Sequence, residues 1–114
     1  MTALQILDRA LMLLGYTDDG HCNRIKSRAI AIINAAYVDV CRAARADYIP
    51  LKSLSDTFTV GDEIACDVLV YGVAMFIAQS EGDTEIQAVY CDLYNKKRGS
   101  LAASDRIADV LPRG

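Results

Sequence analysis

The chain has no tryptophan, two prolines, two phenylalanines and a single histidine. His21 lies in the turn-like stretch "YTDDGHCN" and belongs to no defensible Ser/His/Asp or Cys/His arrangement. The four cysteines, Cys22, Cys41, Cys66 and Cys91, are 19 to 25 residues apart and form no C-x-x-C pair. Zinc and redox motifs need close pairs, so that one turn supplies two ligands. His21 beside Cys22 is one such pair, but no second pair accompanies it. The cysteines are therefore expected to be free thiols that pack as small hydrophobes, with no metal bound. The glycines are scattered singly and build no phosphate loop. Asp18 and Asp19 are followed by no second acidic ligand set, which excludes a calcium loop. With no reactive constellation, neither an enzyme nor a cofactor is expected.

Positive charge is also short. Twelve Lys and Arg stand against fifteen Asp and Glu, giving a net charge of −3 and a pI near 5.0. Such a chain is not built as a whole to grip nucleic acid. The longest uncharged apolar run, "VLVYGVAMFIA" from Val68 to Ala78, ends at Asp67 on one side and at Gln79, Ser80 and Glu81 on the other. A bilayer span needs roughly 20 apolar residues, so this run reads as a core helix. "MTALQILDRALMLLG" has no basic head, and Asp8 and Arg9 interrupt it, unlike a signal peptide. The expectation is a protein made and kept in the cytoplasm, with no membrane partner.

What remains is a helix-forming chain with 53% hydrophobic residues in 114. A single domain of this size buries roughly two-thirds of its unfolded surface. So much apolar material implies a large core, an oligomer interface, or both. The pattern predicts an all-α fold: a compact bundle of about four helices with a long second helix, an apolar connecting loop and an extended C-terminal tail. Residues 1–99 form the helical domain and residues 100–114 the tail.

Thr2 and Gln5 make a capping box at the start of the first helix, Leu4, Leu7, Leu11 and Leu14 form its stripe, and Gly15 ends it. The second helix is expected from about Asn23 to Ala46, with Pro50 as its stop. Ile25, Ala29, Ile33, Tyr37 and Val40 face the core. The opposite side carries Arg28, Ala31, Ala35, Val38 and Arg42, a small-residue strip bracketed by arginines. Such a strip suits contact with another subunit, because small residues permit close approach and Arg favours interfaces. The apolar loop from Pro50 to Val60 must pack on its own core or on a neighbour, and "TFTV" within it has strand character. A third helix runs from Asp62 to just before Gly82. A fourth follows Asp83 or Thr84, with Ile86, Val89, Tyr90, Leu93 and Tyr94 as its stripe and Lys96, Lys97 and Arg98 closing its C-terminal end, where cations suit the helix dipole. Leu69, Phe76, Ile33 and Leu93 are expected to meet in the core. In the tail, Leu101 and the i, i+3, i+4 triplet Ile107, Val110 and Leu111 are candidates for docking on a partner. A small polar linker, Gly99 to Ser104, would let them swing.

Read in order, several segments are familiar. "ALQILDRALMLLG" is followed by "IINAAYVDVCRA", with Asn34, Tyr37 and Asp39 in an Asn-x-x-Tyr-x-Asp arrangement. "IPLKSLSDTFTV" comes next, then "LVYGVAMFIAQSEGD" and "YCDLYNKKR", with Tyr90, Tyr94 and Asn95. From about residue 4 to residue 98 this order resembles the head–tail connector (adaptor) proteins of tailed bacteriophages. The resemblance implies a structural protein of the virion neck and a ring of about a dozen copies. The ring would sit between the portal protein and the next neck or tail protein, and genomic double-stranded DNA would pass through it without sequence recognition. Net negative charge agrees with a channel that must not hold phosphates. An alternative from another class is a small helical DNA-binding or regulatory oligomer, with Arg24, Arg28, Arg42 and Arg45 as a basic stripe. Asp39 and the interleaved Ala and Val speak against it.

Overall fold

The computed structural model describes the backbone of residues 1–110 and the side chains of residues 1–101. The fold is all-α, as expected. Among the described residues five helices follow in order: α1 (Ala3–Leu14), α2 (Asp19–Lys26), α3 (Ala29–Ala44), α4 (Asp62–Ser80) and α5 (Thr84–Val110). Among the described residues there is no strand. The strand character of "TFTV" amounts to one isolated antiparallel bridge between Thr57 and Thr2.

Helix α1 starts as its capping box predicts. The Gln5 amide donates to Thr2 Oγ1 (3.2 Å), and the Thr2 amide donates to Gln5 Oε1 (2.8 Å). Two further first-turn amides, those of Ala3 and Leu4, donate to the carbonyls of Asp56 and Leu54. The loop thus satisfies donors that every helix start leaves open. Gly15 closes the helix in the left-handed region (φ 71°). Of the expected stripe, Leu7, Leu11 and Leu14 are buried with Ile6 and Ala10, whereas Leu4 is exposed.

The long second helix is two helices, which corrects the sequence reading. Asp18, read there as part of a turn, caps α2 by accepting the His21 amide (2.8 Å). The break falls at Ser27 and Arg28. The Ser27 hydroxyl donates to the Arg24 carbonyl (2.7 Å), and Arg28 leaves helical geometry with φ −121° and ψ 10°. A serine that bonds its own backbone offers the chain an alternative to the helical ladder. Helix α3 ends at Arg45, a non-glycine in the left-handed region (φ 53°), five residues before Pro50.

Helix α4 carries the apolar run and is the centre of the bundle. By length and composition it could cross a bilayer, with 19 residues and a mean hydropathy of 1.4. Here Val68, Leu69, Val70, Val73, Ala74, Ile77 and Ala78 are buried against α1, α3 and α5. A π turn at Ala65–Leu69 inserts an extra residue near its start. Among the expected core contacts, Leu69 and Ile33 are fully buried and Phe76 is half-buried. Leu93 is not in the core. It is 36% exposed, and Tyr94, one position on, is the buried residue among the described side chains of α5, at 1%.

Tyr94 is why Gly72 is a glycine. A Cβ at Gly72 would stand 2.8 Å from the Tyr94 ring. That ring cannot swing away freely, because its hydroxyl donates to Asp39 Oδ2 (2.6 Å). The absent side chain lets α5 lie close against α4.

Helix α5 is the longest element, 27 residues, and it continues through Gly99 and Ser100. The backbone is therefore helical where the sequence suggested a loose linker. The Ser100 hydroxyl is satisfied inside the helix by the Lys96 carbonyl (3.1 Å). Leu101 is half-buried and packs against the domain's own core. The side chains of Ile107 and Val110, and Leu111 altogether, lie outside the described residues.

Two glycines in helices give a paired prediction. Gly72→Ala should destabilise the protein by about 1–2 kcal/mol in urea unfolding, because overpacking at about 1–3 kcal/mol outweighs the gain of under 1 kcal/mol in helix propensity. Gly99→Ala, with nothing within 4 Å of the added Cβ, should instead stabilise by roughly 0.5–1 kcal/mol.

Candidate interaction surface

The sequence-derived interface residues Arg28, Ala31, Ala35, Val38 and Arg42 lie along one side of α3. Four of the five are exposed and Val38 is half-buried. Their other wall comes from α4. Ala31, Ile32 and Ala35 face Phe76, Gln79 and Ser80 across an open groove of about 460 Å³. The sequence reading missed this wall, since Phe76 sits in a run that is apolar on all sides. Arg28 at one end is held in place: its guanidinium pairs with Glu81 (3.1 Å), which also bonds His21 Nε2 (2.8 Å). The basic stripe is thus partly engaged by the chain's own acids.

A second apolar surface was not anticipated. Met12 (78% exposed), Leu13 (41%) and Val89 (57%) stand out from α1 and α5. Leu13 separates two openings. One, about 350 Å³, lies between α1 and α4 and is lined by Arg9, Cys66, Val70 and Tyr71. The other, about 370 Å³, lies between α1 and α5 and is lined by Glu85, Ile86, Val89 and Tyr90. Tyr90 fixes the seam by donating its hydroxyl to the Leu13 carbonyl (2.8 Å). The sequence reading placed Val89 in the apolar stripe of the last helix, whereas it is exposed. Tyr71 and Ser80 are nine residues apart on α4, about 180° at 100° per residue. The two apolar surfaces therefore open on opposite sides of the central helix.

Behind these surfaces, the residues of the Asn-x-x-Tyr-x-Asp arrangement act as clamps. Asn34 holds Leu51 twice, donating Nδ2 to its carbonyl (3.0 Å) and accepting its amide at Oδ1 (2.9 Å). The Tyr37 hydroxyl bonds the Thr59 hydroxyl (2.9 Å) and accepts the Thr59 amide (2.8 Å), while Phe58 and Tyr48 pack edge-on against its ring. The loop with Leu51 and Val60 buried is thereby fastened to its own domain. Asp39 reaches α5, accepting from the Tyr94 hydroxyl and from Arg98 Nη1, both at 2.6 Å. Burial pushes the Asp39 carboxyl up, but the hydrogen bonds from Tyr94 and Arg98 and the charges of Arg98 and Arg42 outweigh it and hold the group below its usual range. Burial, then the Asp39 hydrogen bond and charge, push the Tyr94 hydroxyl up, so it stays a donor.

The Lys96–Lys97–Arg98 cluster is mid-helix, so the helix-terminus explanation does not apply. Each member has an acidic partner instead: Lys96 pairs with Asp92 (3.2 Å), Lys97 with Asp67 (3.0 Å) and Arg98 with Asp39. Lys97 also lies over the Tyr71 ring. All four cysteines are unpaired; Cys41 is buried and the others are half-buried. The Cys22 thiol bonds the Tyr16 carbonyl, while its neighbour His21 is engaged by Glu81. Among the described residues, no three His, Cys, Asp or Glu side chains gather as a metal site.

Compared with protein-family models, with curated proteins and with solved structures, the chain finds no match in any of the three.

The Asp39 clamp sets an acid limit. A carboxyl whose folded pKa is depressed stabilises fully above its unfolded pKa, near 4, and loses that contribution as pH falls through the folded value. Asp39→Asn should therefore be less stable than the parent at pH 7. The gap should narrow as the pH is taken below about 4, when thermal unfolding is followed across pH.

Proposed function

We propose that this chain is a structural subunit of a homo-oligomeric ring, the head–tail connector of a tailed phage. It would sit in the virion neck between the portal and the next neck or tail protein, around the DNA channel. The observation that carries the reading is the pair of unlike apolar surfaces on opposite sides of α4. A ring subunit needs contact surfaces on two different sides, whereas a two-fold dimer needs only one self-complementary patch. The clamps at Asn34, Tyr37 and Asp39 support it, because the motif residues that carry the family resemblance serve architecture. The pairing of Arg28 with Glu81 and of Lys96, Lys97 and Arg98 with acids weighs against a duplex-binding regulator.

Light scattering on the purified chain, alone and with portal rings, tests the reading. The expected result is a stoichiometric ring on the portal; no association with the portal overturns it. Tight, salt-sensitive binding to duplex DNA would favour the regulatory oligomer instead. Ala35→Glu should leave the melting of the monomer within about 0.5 kcal/mol of the parent, as expected at an exposed site. It should weaken assembly by more than about tenfold, because a glutamate buried without a partner costs more than the ~1.4 kcal/mol that tenfold represents. Unimpaired assembly would return this side of α3 to solvent.

A further inference from the structure

We propose that the apolar surface centred on Leu13 receives the C-terminal segment of a second copy of this chain, with Ile107, Val110 and Leu111 as the inserted residues. The inference deepens the self-assembly part of the reading above and rests on it, but not on the virion role.

The receiving surface is built and uncovered. Met12, Leu13 and Val89 are exposed, and the openings on either side of Leu13 are floored by Val70, Tyr71 and Tyr90. The occupant is chosen by where the chain has apolar residues left over. Leu101 is the last described side chain packed on the domain core. Ile107, Val110 and Leu111 follow it at i, i+3, i+4 spacing, the pattern of a helix that buries one side.

Geometry decides between the same copy and another. Val89 and Ile107 are both on α5, which is one continuous helix from Thr84 to Val110. Eighteen residues of helix separate them by about 27 Å, at 1.5 Å per residue. The segment cannot fold back onto Val89 of its own chain while α5 is intact, whereas a neighbouring copy has no such constraint. Helix α5 is also long enough to reach out: its 27 residues span about 40 Å, against about 18 Å for the 12 residues of α1. Groove and segment are different parts of the chain, so the contact is head to tail. It closes into a ring if the rotation per copy allows.

The test titrates a fluorescent peptide spanning residues 101–114 with the full-length chain. Saturable binding is expected. It should weaken at least about tenfold with Val89→Glu or Met12→Glu in the chain, and likewise with Ile107→Glu in the peptide. Both groove sites are exposed, and unchanged circular dichroism would confirm that the variants fold. In a second arm, Val89→Glu chains are mixed with Ile107→Glu chains. Each keeps one intact half of the contact, so the mixture should stop at one-to-one pairs. No saturation by about 1 mM chain, or binding indifferent to both groove variants, overturns the proposal. So does capture of portal protein through Val89 when the peptide does not bind, which would make the portal the occupant. If the peptide binds as expected but the chain never associates with a portal, the virion reading fails and this contact stands.

Discussion

The fold depends on one close contact, the Tyr94 ring lying on Gly72. It sets the distance between α4 and α5, and the Tyr94 hydroxyl carries the same constraint on to Asp39 of α3. Arg98 closes the arrangement from one turn along α5. A hydrogen bond to a charged group contributes about 1.5–3 kcal/mol, more than a neutral one. Three helices are thus held at one point by a ring, a missing side chain and a shared carboxylate. Where Tyr94 is locked, Leu93 must point elsewhere, and the α5 surface acquires its exposed apolar residues.

A second set of clamps deals with the loop between α3 and α4. A connection this apolar is stable only if its backbone polar groups find partners as its side chains are buried. Asn34 supplies both partners for Leu51, the Tyr37 hydroxyl accepts the Thr59 amide, and the start of α1 supplies donors for Leu54 and Asp56. The loop therefore contributes to the domain's own core. The open apolar grooves lie on α1, α3, α4 and α5.

Much of this was legible in the residues. The all-α class, the capping box at Thr2 and Gln5, the stop at Gly15 and the burial of Val68 to Ala78 all follow from local patterns. Those patterns act through neighbours three and four positions away, so the sequence displays them directly. The break at Ser27 was legible only in part: Asp18 is a good cap, but a run of helix formers hid the interruption. The roles of Lys96, Lys97 and Arg98 were misassigned because a helix end cannot be located from charge alone. Two of their acids, Asp67 and Asp39, are distant in the chain.

By itself, then, the sequence determined the all-α class, the start and stop of α1, and which sides of α1 and α3 are apolar. Only the tertiary structure decided which apolar residues are core and which are surface. Leu93 and Tyr94 are neighbours on one amphipathic helix, and periodicity treats them alike. The difference arises because Gly72, more than twenty residues away, leaves room for one ring and no more. The same holds for the two grooves, whose walls are drawn from helices far apart in sequence. Their position on opposite sides of α4 is a property of packing, which no local pattern encodes.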